Sequence, residues 1–271
     1  MVNAAPKRTL PRRPREHGAW AILGVSLLTG TLIGGPQGKV STLLLLFTAL
    51  AALLARAAVR PLVRPGRNPR PPRFQAQVRW ALGWLGLTTL GGGLLIGAGK
   101  HFWLLYLGLG AGLLAGLDLW LIHQQAERTV SGELVGVAAL TLTAPAAYGM
   151  AAGGLDGTAG ALWLLCWAYF AVPVFYVKMF SAWRSGRDIP YWEKMAWRVH
   201  SGTLLILASL ALGGWIPWMA VLPFGLALGK VLYSRRWERE REVSFKTLGW
   251  RETGLALSFA LCLWLGYGSA R

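Results

Sequence analysis

Apolar runs of about 20 residues recur along the whole chain, and this repetition limits the fold more than any other feature, because a helix of that length crosses a bilayer. Only 14% of the residues are charged, whereas soluble domains contain about 25%. The sequence therefore predicts an all-α, polytopic membrane protein with about nine transmembrane helices. The predicted spans are residues 17–35, 40–58, 80–98, 102–122, 130–152, 158–177, 201–215, 217–233 and 254–269.

The placement of basic residues predicts how these spans are oriented. With nine spans, all of the 28 lysines and arginines except Lys39, Lys100 and Arg271 fall on one side of the membrane. Loops rich in Lys and Arg stay in the cytoplasm. We therefore predict a cytoplasmic N-terminus, an external C-terminus and a location in the bacterial cytoplasmic (inner) membrane.

The same pattern predicts the domain organisation. Residues 1–16 combine prolines with basic residues and are predicted to form a basic cytoplasmic arm beside anionic headgroups. Residues 17–271 are predicted to form a single transmembrane helical domain. The net charge of +17 is thus spread over loops, with no soluble domain to carry it. This arrangement favours membrane lipid as a partner and argues against nucleic acid.

Most of the acidic residues and histidines fall near the predicted cytoplasmic face. Glu16 and His17 open the first span, and His123 and Glu127 are spaced to share one helix face at the end of the fourth. Carboxylates and imidazoles are typical general acids and bases, so these four are the candidate catalytic residues. Glu16 has a second interpretation, as an acid that favours the helix dipole. Asp118 and Glu133 either mark a polar cavity or pair with other ionisable groups at membrane depth, or Asp118 simply reaches water.

The loops on this face also carry arginines without nearby acids. Residues 60–74, RPLVRPGRNPRPPRF, contain no carboxylate, and their prolines disfavour a long helix. Either lipid headgroups or a bound anionic ligand must supply the counter-charge. Arginine binds phosphate through two hydrogen bonds without a metal. The candidate substrate-binding residues are Arg60, Arg64, Arg67, Arg128, Glu133, Lys178, Arg184, Arg187, Asp188, Glu193, Arg198 and His200.

Motifs that hold metals or phosphates are missing from the sequence. It has no HExxH, CxxC or GxxxxGK[ST] pattern. Cys166 and Cys262 fall inside predicted spans and are interpreted as buried apolar residues. The glycine clusters at 91–97 and 108–116 are predicted to pack helices together. We therefore predict no metal site and no cofactor.

Three stretches resemble a known family. PREHGAW at 14–20, followed by a long apolar helix, resembles the start of the YwiC-like family of bacterial membrane proteins. HQQAERTVSGELVGVAALTLTAPAAYG at 123–149 and FKTLGWRETG at 245–254 resemble other regions of that family. This resemblance implies membership of the family and no particular reaction.

A more distant resemblance is to the UbiA-type intramembrane prenyltransferases, and it implies a similar nine-helix bundle. Those enzymes hold Mg²⁺ and a diphosphate with paired aspartates in two cytoplasmic loops. In this chain the first such loop has no carboxylate, and the second has only Asp188 and Glu193. The resemblance therefore extends to the architecture and makes magnesium unlikely as a cofactor.

Together these features predict a cytoplasm-facing pocket for an anionic lipid or an isoprenoid- or quinone-type ligand. A divergent transferase is one form of this prediction. The alternative is a non-catalytic membrane assembly partner or a transporter. The sequence leaves open whether the protein is an enzyme and identifies no protein partner.

Overall fold

The computed structural model describes residues 17–66, 71–237 and 245–268, and within these ranges every regular element is helical. A single 3₁₀ turn at Trp218–Ala220 joins two of the helices. The α-helices are α1 His17–Gly34, α2 Lys39–Val63, α3 Pro71–Gly97, α4 Leu104–His123, α5 Val130–Thr141, α6 Thr143–Ala152, α7 Gly157–Ser185, α8 Ile189–Leu212, α9 Leu222–Trp237 and α10 Phe245–Gly268.

The helices confirm an all-α polytopic membrane protein. Helices α5 and α6 are interrupted only at Leu142 and count as one segment, so the described part of the chain contains nine helical segments. Segment α1 is a shorter apolar helix. Six segments are long and apolar enough to cross a membrane: Lys39–Val63, Phe74–Gly97, Leu104–His123, Val130–Ala152, Gly157–Ser185 and Ile189–Leu212.

Several helices continue well beyond their predicted spans, and all of these extensions are at the same end of the bundle. Helix α7 continues to Ser185 and α8 already begins at Ile189, although their predicted spans end at 177 and begin at 201. Hydropathy marks only the apolar middle of a helix, whereas backbone hydrogen bonding continues through polar turns. We call this end, where α2, α4, α7 and α9 finish and α5, α8 and α10 begin, the basic end.

The prolines of residues 60–74, which we predicted to disfavour a long helix, lie near the end of α2, which finishes at Val63, and at the start of α3 at Pro71. Pro61 lies inside α2, and Pro71 and Pro72 open α3, where a missing N–H costs little. Pro61 cannot donate a hydrogen bond to the preceding turn. Next to this interruption, the Gln77 side chain of α3 donates to the Ala58 carbonyl over 2.8 Å. Helix α3 thus supplies a polar contact where α2 is weakened.

Helix α1 packs directly on α6 because two of its glycines have no side chain. A Cβ at Gly30 would lie 2.1 Å from the Ala144 carbonyl oxygen, and one at Gly34 would lie 2.6 Å from the Ala151 Cβ. In contrast, Gly93 and Gly108 in the two predicted packing clusters face open space. The packing role predicted for those clusters is therefore wrong at these two positions. It is confirmed at Gly91 of the first cluster, where a Cβ would lie 2.2 Å from Thr48 Oγ1.

Candidate functional site

A buried ion pair links α2 to α4 near the basic end. Arg56 donates from Nε to one oxygen of Asp118 over 2.7 Å and from Nη2 to the other over 2.9 Å. The Asp118 side chain is only 4% exposed. Of the interpretations from the sequence, pairing with another ionisable group is the one that this contact supports. Sequence analysis missed Arg56 as the partner.

One turn closer to the end of α2, two arginines hold Glu127. The distances are 2.8 Å from Arg60 Nη2 and 3.1 Å from Arg64 Nη1 to the same carboxylate oxygen. Arg60 Nε also donates to the other oxygen over 2.9 Å. For Arg60 and Arg64, Glu127 therefore provides the counter-charge that we had left to a lipid headgroup or a bound anion. Its role as a catalytic residue stays a prediction.

The hydrogen bond from Arg60 is the main reason that the pKa of Glu127 lies below its ordinary value of 4.5. Burial opposes this effect, while the positive charges of Arg60, Arg64 and Arg128 reinforce it. The ionised carboxylate is thus the stable form in the folded protein. A carboxylate with a lowered pKa is a weak general base. Its ion pairs with Arg60 and Arg64 instead fix the end of α2 to the turn after α4.

Acidification is expected to loosen this contact. A lowered pKa in the folded state contributes stability above the ordinary value, and that contribution is lost as the pH falls through the folded value. Amide hydrogen exchange at the end of α2 should therefore rise below about pH 4.5. Glu127→Gln should remove this rise. Asp188→Asn, which changes an exposed acid before α8, should keep it, and loss of the rise in that control would contradict the assignment.

His123 reaches the same end of α2 by a different route from the one predicted. Helix α4 ends at His123, so Glu127 lies in the following turn and not on a shared helix face. The exposed imidazole Nδ1 of His123 lies 3.3 Å from the Val63 carbonyl. Both candidates therefore contact the end of α2, His123 from the last residue of α4 and Glu127 from the turn that follows.

A second group joins α5 to α7. Lys178 Nζ lies 2.6 Å from Glu133 Oε1 and 2.6 Å from the Arg128 carbonyl oxygen. Beside this group lies a cleft of about 210 Å³ between α5, α7 and α8. The residues that line it are Leu134, Trp167, Ala168, Ala171, Val172, Phe175, Val199 and Thr203.

Three of the residues that line the cleft are close in sequence to charged residues. Leu134 follows Glu133, Phe175 precedes Lys178 by about one turn, and Val199 follows the exposed Arg198. The indole of Trp167 donates to the Leu134 carbonyl over 3.3 Å, which joins α7 to α5 along the cleft wall. An apolar space thus opens next to predicted binding residues.

A third group surrounds the start of α8. The Trp183 indole donates to Glu193 over 2.9 Å, and Arg235 lies 3.8 Å from the other carboxylate oxygen. Glu193 and Arg235 also line an open groove of about 220 Å³ with Leu232 and Arg236. The groove faces outward at the basic end.

A fourth group lies between α7, α8, α9 and α10 and includes His200, whose ring centroid is 6.5 Å from that of Tyr176. Of its members, the sequence analysis named only His200 as a candidate. Lys230 of α9 forms an ion pair with Glu252 of α10, and the Tyr176 hydroxyl lies 2.7 Å from the Ser234 hydroxyl. Lys230 falls inside the predicted span 217–233. A lysine in an apolar span was the available signal, because such residues require a partner.

The contacts among the described residues divide the predicted site into separate groups along the basic end. Arg60, Arg64, His123 and Glu127 gather on α2. Arg184, Arg187 and Asp188 are exposed around the turn between α7 and α8. Glu16 and Arg67 lie outside the described residues, and for His17 only its position at the start of α1 is described.

Metal ligands do not cluster in the part of the chain that the structure describes. Residues 17–66, 71–237 and 245–268 contain no group of three or more His, Cys, Asp or Glu side chains that could hold a metal ion. Cys166 is buried and Cys262 half-buried, and both are free thiols.

The helices and these groups define a class: an all-α polytopic membrane protein whose described ion pairs lie at one end of its bundle. The family model for YwiC-like protein matches residues 14–148. A relative described as "Uncharacterized protein YwiC", from Bacillus subtilis (strain 168), is 28% identical over 260 residues, which cover 93% of this chain and 97% of the relative. The chain belongs to the YwiC-like family. No solved structure matches it, so the UbiA-like arrangement stays a prediction.

Proposed function

We propose that the protein binds a lipid with an anionic headgroup in the cleft between α5, α7 and α8. The single observation that carries this proposal is an apolar cleft whose lining residues include Leu134 and Phe175, which lie one residue after Glu133 and three residues before Lys178, the two partners of an ion pair. By the positive-inside rule the basic end faces the cytoplasm, in the bacterial inner membrane. The ligand would therefore enter from the inner leaflet.

The cleft suits an isoprenoid or acyl chain because aliphatic and aromatic side chains form most of its wall. Burying such a chain stabilises the complex by about 25 cal/mol for each Å² removed from a polar environment. Within the bilayer this term is weak, since lipid tails are also apolar. Affinity and specificity therefore depend on the headgroup.

The headgroup is recognised by positive charge at the mouth of the cleft. Lys178 would donate to a phosphate or similar anion. The exposed Arg128 and Arg198 are close in sequence to the cleft residues Leu134 and Val199. In the structure Glu133 neutralises Lys178. An anionic headgroup must therefore replace Glu133, which makes Glu133 a competitor that sets the affinity.

Two substitutions test this site in the full-length protein in nanodiscs. Lys178→Gln should weaken binding of phosphatidylglycerol or undecaprenyl phosphate about tenfold, which corresponds to about 1.4 kcal/mol for one lost charge-assisted hydrogen bond. Glu133→Gln should strengthen binding, because it removes the competing charge. Native mass spectrometry with defined lipid mixtures measures both effects, and comparison of the two lipids separates an acyl from an isoprenoid ligand.

The matched control is Lys194→Gln, which removes an exposed lysine of α8. It should bind lipid like the natural protein. Equal binding by the Lys178 and Lys194 variants would contradict the proposal, as would weaker binding by the Glu133 variant. Failure of this kind would favour the alternative of an assembly partner or transporter.

The proposal extends to catalysis if the protein is a divergent transferase that acts on the bound lipid. Such a transferase would need an acid or base close to the headgroup, and Glu16, His17, His123 and Glu127 are the predicted candidates. Glu127 is buried and paired with Arg60 and Arg64. Of the two candidates whose side chains the structure describes, His123 is the exposed one. Loss of product formation in His123→Gln, with lipid binding retained, would support this extension.

A further inference from the structure

A buried polar cluster joins α7, α8, α9 and α10 near the basic end. Tyr176 and Ser234 are fully buried, and their hydroxyl oxygens lie 2.7 Å apart. His200 is 1% exposed, and its ring centroid lies 6.5 Å from that of Tyr176. Buried ionisable groups in a membrane protein are costly, so such a cluster indicates more than packing.

His200 has one satisfied and one unsatisfied ring nitrogen. Nδ1 lies 2.7 Å from the Ala196 carbonyl oxygen, which can only accept, so Nδ1 carries the hydrogen. Nε2 is buried and has no hydrogen-bond partner among the described residues. In the neutral ring this nitrogen is a bare lone pair. A proton on it would be a buried N–H⁺ without an acceptor, which is far more costly.

The surrounding groups make a positive charge on His200 still less favourable. From α7, Tyr176 faces it with a hydroxyl already bonded to Ser234. From α9, Lys230 Nζ lies 4.2 Å from the centroid of the Tyr176 ring and is paired with Glu252 of α10. On α8 itself, Glu193 accepts from Trp183 and faces Arg235. The nearby carboxylates are therefore already engaged.

We propose that His200 makes the packing of α8 against α7 and α9 acid-sensitive. The closed packing keeps the ring neutral, whereas a locally opened state hydrates Nε2 and takes up a proton there. Acid therefore favours the open state. The proton goes to Nε2, and the Nδ1 hydrogen bond to Ala196 is retained. This inference does not depend on the lipid-binding proposal.

The size of the effect follows from linkage. A hydrated imidazole gains its proton at about pH 6.5, so at about pH 5.5 the open state is favoured about tenfold more than at neutral pH. When the helix recloses faster than its open amides exchange, the exchange rate is proportional to the opening equilibrium. Amide exchange therefore rises by the same factor. The increase should be confined to α8 and to the parts of α7 and α9 that face it.

Hydrogen exchange of the full chain in nanodiscs, corrected for intrinsic rates, tests this at about pH 7.5 and about pH 5.5. We expect peptides from α8 and α9 to exchange about tenfold faster at the lower pH, and peptides from α1 and α6 to be unchanged. His200→Gln should abolish the difference. The matched control His123→Gln should keep it.

An unchanged α8, a uniform increase over all helices, or a full response in the His200 variant would overturn the proposal. If that variant does not fold, the natural protein still decides the question, because it has only four histidines to resolve by ¹⁵N-histidine NMR. We expect a neutral His200 ring with hydrogen on Nδ1 at about pH 7.5. A hydrogen on Nε2 instead, or a charged ring while α8 stays protected, would also overturn it.

Discussion

Asp118→Asn is expected to destabilise the protein by about 3–5 kcal/mol, because it leaves the buried end of Arg56 without its counter-charge. Both Asp118 oxygens accept from Arg56, and the carboxylate is almost fully buried. The arginine side chain is 30% exposed, so most of it is also buried. The free energy of unfolding in mixed micelles measures this loss.

A double substitution separates the charge from the packing. Arg56→Met combined with Asp118→Leu removes both charges and should recover most of the stability lost in Asp118→Asn, since neither partner is left unpaired. Asp188→Asn is the control and should change stability by less than about 0.5 kcal/mol, as expected for an exposed residue. A double variant that is no more stable than Asp118→Asn would show that the ion pair is not the cause.

Gly30→Ala is expected to separate α1 from α6 at a cost of about 3 kcal/mol. The new methyl group would lie 2.1 Å from the Ala144 carbonyl oxygen and 2.9 Å from the Tyr148 backbone nitrogen. These are backbone atoms, so no side-chain rotation relieves the overlap. The folded fraction after extraction, measured by size-exclusion chromatography and thermal melting, should fall sharply.

Gly24 provides the matched control on the same helix. A Cβ at this position meets nothing within 4 Å, and alanine is the better helix former. Gly24→Ala should therefore be neutral or slightly stabilising. Equal losses in the Gly24 and Gly30 variants would indicate a general sensitivity of α1 and would contradict close packing on α6.

The number of helical segments was predictable from sequence, whereas their ends were not. Membrane spans can be recognised in a sequence because a helix needs about 20 apolar residues to cross the bilayer. The start of α8 at Ile189 escaped this reasoning because its first turns contain polar and aromatic residues. The helical position of Pro61 was not predicted either, and the contact of Gln77 from α3 with the Ala58 carbonyl beside it could not be read from the sequence. Local rules do not contain such tertiary contacts.

The candidate site was predictable in composition and not in pairing. The sequence placed Arg60, Arg64 and Glu127 near one membrane face, but no periodicity states that α2 lies beside the turn after α4. The glycine clusters were only partly predictive for the same reason: Gly91 packs against Thr48 of α2, whereas Gly93 and Gly108 have no neighbour within 4 Å. Gly30 carried the close contact without standing in any cluster.

Two consecutive residues in the turn after α4, Glu127 and Arg128, are held by different helices. The Glu127 side chain is held by arginines of α2, while the carbonyl of Arg128 is held by Lys178 of α7. These residues are joined by one rigid peptide group. Loss of the Lys178 contact would therefore free the backbone directly after Glu127, while the Glu127 side chain would still fasten this turn to the arginines at the end of α2.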